Sequence, residues 1–310
     1  MKRRCLSILI YHRVLAQHDP LFPGEVDTRR FAHQLRLLKR FFSPLPLAEA
    51  LQRLQDGTLP ARAASITFDD GYADNAELAL PLLRRYGLHA TFFIATGYLD
   101  GGRMWNDQLI ESVRHAGGKQ LDLRQFGLAR LPLASLAQRR SAIAYLLGQL
   151  KYLPCTQRAA VAESITQAIV QQTGTVQRQR NMQPPLMLST AQLLQLQQAG
   201  MGIGAHTVNH PILATMSSQA AYGEMAQGKM ALEQLLQAPV TLFAYPNGKS
   251  GCDYGAREMA MARSLGFTAA LATDSGVART DTDLFQLPRF TPWRPRSPGF
   301  LWQLWRNRRS

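Results

Sequence analysis

Short, almost wholly apolar runs recur along this chain, separated by stretches whose apolar residues return every three or four positions. The runs cover 6–11, 64–68, 90–95, 202–205, 240–245, 267–272 and 284–287. Apolar at successive positions and bounded by turn residues, they predict strands buried on both faces, as in a parallel sheet. The stretches between them predict helices. One opens at Asp27-Thr28, where Phe31, Leu35 and Leu38 fall at i, i+4 and i+7 on one stripe. Others are predicted over 47–54, 73–86, 190–199, 218–236 and 255–265. Strand, helix, strand in alternation is the parallel crossover unit. About seven such strands predict an α/β fold, a barrel closed or nearly closed and short of the usual eight.

The alternation lapses between about 101 and 188. Helices are predicted there near 106–115, 136–150 and 156–172, followed by a Gln- and Arg-rich stretch up to Pro184-Pro185. This reads as a helical insertion on the barrel, serving as a lid, as a partner surface or as inert decoration. The barrel is expected to take up 1–288, leaving a basic, Trp-containing tail over 289–310.

A chain of 310 residues can bury one large core, and nothing requires a second domain. Lys and Arg number 35 against 21 acids, a net charge of +14. That favours anionic surroundings without choosing among phosphate, lipid head groups and nucleic acid. From Leu284 onward there is no acid, while Arg289, Arg294, Arg296, Arg306, Arg308 and Arg309 fall there with Trp293, Trp302 and Trp305. The mixture suits a segment lying on an anionic membrane surface. A core-packing tail with a solvated end is the plain alternative. Nucleic acid is not expected as a partner, since charge alone supports it and no recognition motif does.

The opening MKRRCLSILI has the basic start of a signal peptide. Its apolar run stops at Tyr11-His12-Arg13 without a small-residue cleavage site, so a first strand is expected instead. No stretch is apolar for long enough to span a bilayer. Cys5, Cys155 and Cys252 form neither a disulfide framework nor a zinc spacing. A reducing, cytoplasmic setting is the simplest expectation, with peripheral contact at the inner membrane face if the tail meets lipid.

The candidate chemistry centres on ITFDDGY, 66–72. Neighbours on a regular strand point to opposite faces, so Asp69 and Asp70 serve one site only if the strand is ending. Gly71 permits that ending. A solvated helix cap is the bland reading of the pair. Far downstream stands HTVNH, with His206 and His210 four apart. On a helical turn this spacing puts both imidazoles on one face, as a divalent metal needs. Strand ends at the carboxyl face of a barrel would bring the two motifs together. Asp70, His206 and His210 would then hold an ion whose bound water has a lowered pKa, and unligated Asp69 could take the water's proton.

Together ITFDDGY and HTVNH resemble the first two motifs of the polysaccharide deacetylases, also called the NodB homology domain or carbohydrate esterase family 4. That family's distorted (β/α)7 barrel agrees with the strand pattern over nearly the whole chain. The resemblance implies Asp69 as general base, and Asp70, His206 and His210 as ligands of Zn2+ or of Co2+, Ni2+ or Mn2+. The implied reaction hydrolyses an N-acetyl group on a sugar, releasing acetate and leaving an amine.

Two family features are missing. The third motif usually carries an Arg two residues before its proline, where this chain has Ala244 in FAYPNG. Arg289, at the end of the last predicted strand, is expected to supply the charge. The Tyr245 backbone N–H is expected to help hold the oxyanion, and Pro246 and Asn247 of the same loop to contact substrate. The fifth motif's C-terminal His, the general acid, is also absent, since no histidine follows His210. A leaving amine needs a proton. His12, in LIYHRV at the end of strand one, is the expected donor. It resembles the Tyr-His pair of the subgroup that deacetylates poly-N-acetylglucosamine and whose motifs are circularly permuted. A buried, structural histidine is the alternative. Trp105, Asn106 and Asp107 are candidates for the sugar site, because Trp stacks on pyranose faces. Asn106 equally suits a helix cap. Asp274 is a candidate for the family's fourth motif.

The preferred expectation is a metal-dependent N-deacetylase acting on a polysaccharide or its precursor. A lipid-linked precursor would give the tail a purpose. Alternatives are an O-acetyl esterase or small-amide hydrolase on the same barrel, or a non-catalytic sugar-binding relic. A glycosidase needs carboxyl groups ~5–9 Å apart across a sugar, which adjacent acids beside two histidines suit poorly.

Overall fold

The computed structural model describes residues 4–174, 185–292 and 297–308. Trp293, Arg294, Arg296 and Arg309 lie outside the described residues, as does most of the Gln- and Arg-rich stretch before Pro185. The chain divides into two compact units. One comprises Met1–His18, Gly24–Gly101 and Met187–Ser310; the other comprises Asp19–Pro23 and Gly102–Leu186.

The first unit is a parallel barrel. Its strands are β1 (Ser7–Tyr11), β2 (Ala63–Phe68), β3 (Ala90–Ile94), β4 (Gly202–Ala205), β5 (Leu242–Ala244), β6 (Ala269–Ser275) and β7 (Leu287–Arg289), paired in that order. Every pairing along this path is parallel. The ends meet at Phe290, whose N–H donates to Ile8 O at 2.7 Å while Ile10 N–H donates to Phe290 O at 3.0 Å. This is the distorted (β/α)7 barrel. A two-residue strand, Ser43–Pro44, pairs with β2 off this path. All residues of β1, β2 and β3 are buried, as a sheet covered on both faces requires.

The helices are α1 (Thr28–Phe41), α2 (Leu47–Gln55), α3 (Leu80–Tyr86), α4 (Trp105–His115), α5 (Leu136–Leu150), α6 (Cys155–Thr173), α7 (Thr190–Gln198), α8 (Ser218–Leu236), α9 (Ala256–Ser264) and α10 (Ser297–Asn307). α1 starts where expected: Asp27 caps it, accepting from Arg30 N at 2.8 Å. Its Phe31, Leu35 and Leu38 enter the barrel's core with Phe68, Phe92 and Phe243. Phe68 stacks on Phe92 at 4.9 Å between centroids.

Three expectations shift. The helix over 73–86 begins as a π-turn, Asn75–Ala79, with Leu80 N–H reaching back to Asn75 O. Pro81 follows at once and has no N–H to give an ordinary i−4 ladder. The last strand is Leu287–Arg289, not 284–287. Leu284 makes a single rung, accepting from Ala270 N at 2.8 Å, within a turn in which Gln286 N–H donates to Asp283 O. The C-terminal segment forms α10, whose Phe300 and Leu304 are buried in the barrel's core.

In the second unit, α4, α5 and α6 join a small hairpin, Gln120–Asp122 with Arg130–Pro132. Its own core includes Leu109, Val113, Ile143, Leu146, Ile165 and Ile169. A capping box starts α5: the Ser135 side chain accepts from Gln138 N while the Gln138 side chain accepts from Ser135 N.

Candidate active site

β2 delivers the two aspartates, and its ending separates their directions. Asp69 N–H still makes a strand-like rung, donating to Tyr11 O at 3.0 Å. Asp70 already sits at φ +77°, and Gly71 follows at φ +87°. The turn therefore starts at Asp70, one residue earlier than Gly71 alone suggested. A non-glycine residue held there costs on the order of 1–3 kcal/mol, a strain that collects at functional sites. Gly71 is needed for its φ and for space, since a Cβ would lie 3.3 Å from Ile94 Cγ2.

Asp69 is clamped by Arg289. Arg289 Nη1 and Nη2 donate to Asp69 Oδ1 and Oδ2, each at 2.7 Å, a bidentate pair with both side chains enclosed. Two further donors are also directed: Nε goes to Ala272 O at 2.7 Å, and Nη1 reaches Thr67 Oγ1 at 3.3 Å. Burial by itself would raise the Asp69 carboxyl. The Arg289 charge and hydrogen bonds, with smaller help from His206 and His12, outweigh burial and hold Asp69 below the usual carboxylate range. Asp69 is thus a charged carboxylate fixed in orientation by Arg289.

Asp70, His206 and His210 converge beside it. Their candidate ligand atoms all lie within 4.8 Å of one another. Asp70 Oδ1 is 3.4 Å from His206 Nε2 and 3.3 Å from His210 Nε2. Bonds of ~2.0–2.1 Å to one tetrahedral ion would separate ligand atoms by about this much. Asp70 Oδ1 is buried and has no hydrogen-bond partner among the described residues. An orphaned carboxylate oxygen facing two ring nitrogens is the donor set a cation satisfies. His206 Nδ1–H donates to Ala244 O at 2.7 Å, which fixes the ring with Nε2 facing Asp70. Burial opposes ionisation of Asp70, yet the facing imidazoles, His210 foremost, pull its carboxyl well below the ordinary range.

The two histidines do not share a helical turn. After β4 the chain bends, with Thr207 at φ +67° and His210 at φ +51°. His210 N–H donates to Thr207 Oγ1 at 3.1 Å, so a side-chain turn does what a helix was expected to do. Glu224 on α8 pins the bend. Its Oε2 accepts from Val208 N at 3.0 Å and Asn209 N at 2.8 Å, and its Oε1 accepts from Asn209 Nδ2 at 2.8 Å. One turn further along α8, a Cβ on Gly228 would come within 2.8 Å of the Thr207 carbonyl carbon. Sequence reasoning missed Glu224 and Gly228; their spacing of four on one predicted helix face was the available signal.

His12 lies just past β1 with an exposed side chain, so it is not the buried structural histidine. It lines a cleft of about 470 Å³ with Arg13, Glu25, Asn247, Thr273 and Thr291. Its charge acts on both Asp69 and Asp70. The backbone there is held by residues that follow the DDGY turn. Asn75 Nδ2 donates to His12 O at 2.9 Å, and Asp74 accepts from Arg13 Nε at 2.8 Å and Val14 N at 3.1 Å. Glu25, also missed, has its carboxyl raised, by burial first and then by Asp74 and Asp70, against the opposing pull of His12 and Arg13.

The third loop corrects one expectation. Tyr245 N–H donates to Leu271 O at 3.1 Å as the next rung between β5 and β6, so it is not an oxyanion donor. The Tyr245 ring is buried, stacked on Tyr254 at 3.8 Å, with its hydroxyl donating to Phe285 O. Pro246 is buried, while Asn247, at φ +59°, reaches the cleft. Asp274 accepts from Ser250 N at 2.9 Å and steadies this loop. Trp105, Asn106 and Asp107 belong to the second unit. There Arg158 lies over the Trp105 ring at 4.9 Å, and Asp107 is buried. Met104, not Asn106, is the N-cap of α4.

Comparison with known proteins agrees with this geometry. Residues 56–122 and 159–270, over half of the chain, match the family model for polysaccharide deacetylases. YxkH of Bacillus subtilis (strain 168), whose name assigns it to the polysaccharide deacetylases, is 22% identical over 285 residues, covering 92% of this chain and 70% of YxkH. The Streptococcus pyogenes deacetylase PplD, solved with acetate, superposes with a TM-score of 0.64 at 22% identity, covering 98% of this chain and 99% of PplD. IcaB from Ammonifex degensii gives 0.60 at 18% identity over 97% of both chains. These two likenesses are likenesses of fold. No described helix is long and apolar enough to cross a membrane. By the family match the chain belongs to the polysaccharide deacetylases, and is a hydrolase of that class.

Proposed function

We propose that this polysaccharide deacetylase removes N-acetyl groups from amino sugars of a polysaccharide or of its lipid-linked precursor, with Asp69 as general base and His12 as general acid. The observation that carries the reading is the Asp69 carboxylate, clamped bidentately by Arg289 beside the Asp70, His206 and His210 cluster. Asp70, His206 and His210 would hold a divalent ion such as Zn2+. Such an ion supplies Lewis acidity, lowering the pKa of a water and polarising the amide carbonyl.

The chain's own residues account for the protons. Asp69 takes one proton from the attacking water as the water oxygen bonds to the acyl carbon. Arg289 keeps that carboxylate oriented and charged until then. His12 gives a proton to the amide nitrogen as the C–N bond breaks, so that the sugar leaves as an amine and the acyl group as acetate. The exposure of His12 in the cleft supports this role, because a donor must meet substrate. Asn247, on the same cleft, is the candidate for holding the sugar. The test is acetate release from N-acetylglucosamine oligomers by protein reconstituted with Zn2+ or Co2+, with Asp69→Asn and His12→Ala alongside. Release that is lost in Asp69→Asn and falls in His12→Ala is expected. Release unchanged by either variant would overturn the assignment.

A further inference from the structure

α10 is amphipathic in an unusual way. Phe300, Leu304 and Asn307 are buried, while Trp302, Trp305 and Arg306 are exposed on the opposite side. The two indoles are about half exposed, at 49% and 51%, and are among the most exposed large apolar side chains of the chain. Arg306 lies over the Trp302 ring at 5.3 Å. A helix docked through Phe300, Leu301, Leu304 and Asn307 has no folding reason to present two tryptophans to water.

α10 packs on α1. α1 turns Phe31, Leu35 and Leu38 inward, and its exposed Arg29, Arg36 and Arg40 fall at i, i+7 and i+11, one stripe down the outer side. Lys39 is exposed beside them. No acid occurs within either helix. Arg29, Arg36, Arg40 and Arg306 meet no carboxylate among the described residues: Arg36 contacts His33, Arg40 lies over Phe41, and Arg306 lies over Trp302. The two neighbouring helices thus combine cations left without counter-charge and a pair of exposed indoles.

We infer that α1 and α10 form a docking surface for an anionic lipid bilayer. Arginines without carboxylate partners supply attraction to negatively charged head groups, which falls away within a Debye length. Tryptophans insert at head-group depth, where one end of the ring is apolar and the other wet. A soluble polyanion would use the arginines and leave the indoles idle. The bilayer uses both, and that separates the two partners.

The test is co-sedimentation of the full chain with phosphatidylcholine vesicles, with and without about 30% phosphatidylglycerol, at low and high salt. Two variants are compared with wild type: Trp302→Ser with Trp305→Ser, and Arg29→Gln with Arg36→Gln and Arg40→Gln. Circular dichroism and acetate release serve as checks on folding. Wild type should bind the anionic vesicles only, and less at high salt. The triple Arg variant should bind about a hundredfold more weakly, at roughly fivefold per arginine. The Trp variant should lose binding while folding normally. Failure of wild type to bind anionic vesicles would overturn the inference. So would binding that is indifferent to both tryptophans and matched by soluble heparin, or a Trp-dependent self-association without vesicle binding.

Discussion

The two units spend their charged residues differently. In the barrel, Asp69, Asp70, His206 and Arg289 are buried together, and Asp70, Thr207, His210 and Asn247 all hold positive φ around them. The Gly102–Leu186 unit has no non-glycine residue at positive φ among its described residues; it too buries two charged side chains, Asp107 and Arg158, while its Asp122, Arg124 and Arg130 pair at the surface. Charges buried against each other and strained loops are costly, and a fold tolerates them where position matters more than stability. The barrel bears much of that cost around the Asp69 and Asp70 turn and the His206 to His210 bend. The helical unit is held chiefly by an apolar core that includes Leu109, Val113, Leu146, Ile165 and Ile169.

Substitutions can break this contrast, in descending order of effect. His206→Ala should abolish metal binding and reduce acetate release to background, read by metal analysis and by an acetate assay. Asp69→Asn should keep the metal and slow release by ~10²–10⁴, the usual share of a general base. Arg289→Met should leave Asp69 buried without its partner and destabilise the barrel by about 3–5 kcal/mol in urea unfolding, besides impairing turnover. Glu224→Gln keeps one oxygen but cannot accept from the Val208, Asn209 and Asn209 side-chain donors together. It should weaken metal affinity by ~10–100-fold with little loss of stability, as removal of an outer-shell support does. Arg124→Ala in the helical unit should change neither melting temperature nor activity, because its pairing with Asp122 is open to water. A large loss from Arg124→Ala would erase the contrast.

How much of this could be read beforehand follows from range. The strand positions were legible because uninterrupted apolar runs such as ATFFI leave little choice in a sheet covered on both faces. The convergence of Asp70 with His206 and His210 was legible because all three follow strand ends, and parallel strands present those ends on one side. The conformation of the histidine loop was not, since it depends on Thr207 Oγ1 and on Glu224, whose helix placement says nothing of what its carboxylate grips. The Tyr245 N–H was misjudged for a related reason: ladder bonding continues one residue beyond β5, which sequence does not mark. Short β7 was displaced because a three-residue strand containing Pro288 has almost no pattern of its own. The Asp74 and Asn75 supports of the His12 segment lie about sixty residues from the groups they hold, beyond any local signal.

One paired measurement bears most directly on the barrel's proposed chemistry: bound divalent metal and acetate release from N-acetylglucosamine oligomers, determined together for wild type, Asp69→Asn and His206→Ala. The account expects one ion per chain with release in wild type, the ion without release in Asp69→Asn, and neither in His206→Ala. Full metal occupancy in His206→Ala, or undiminished release in Asp69→Asn, would contradict it.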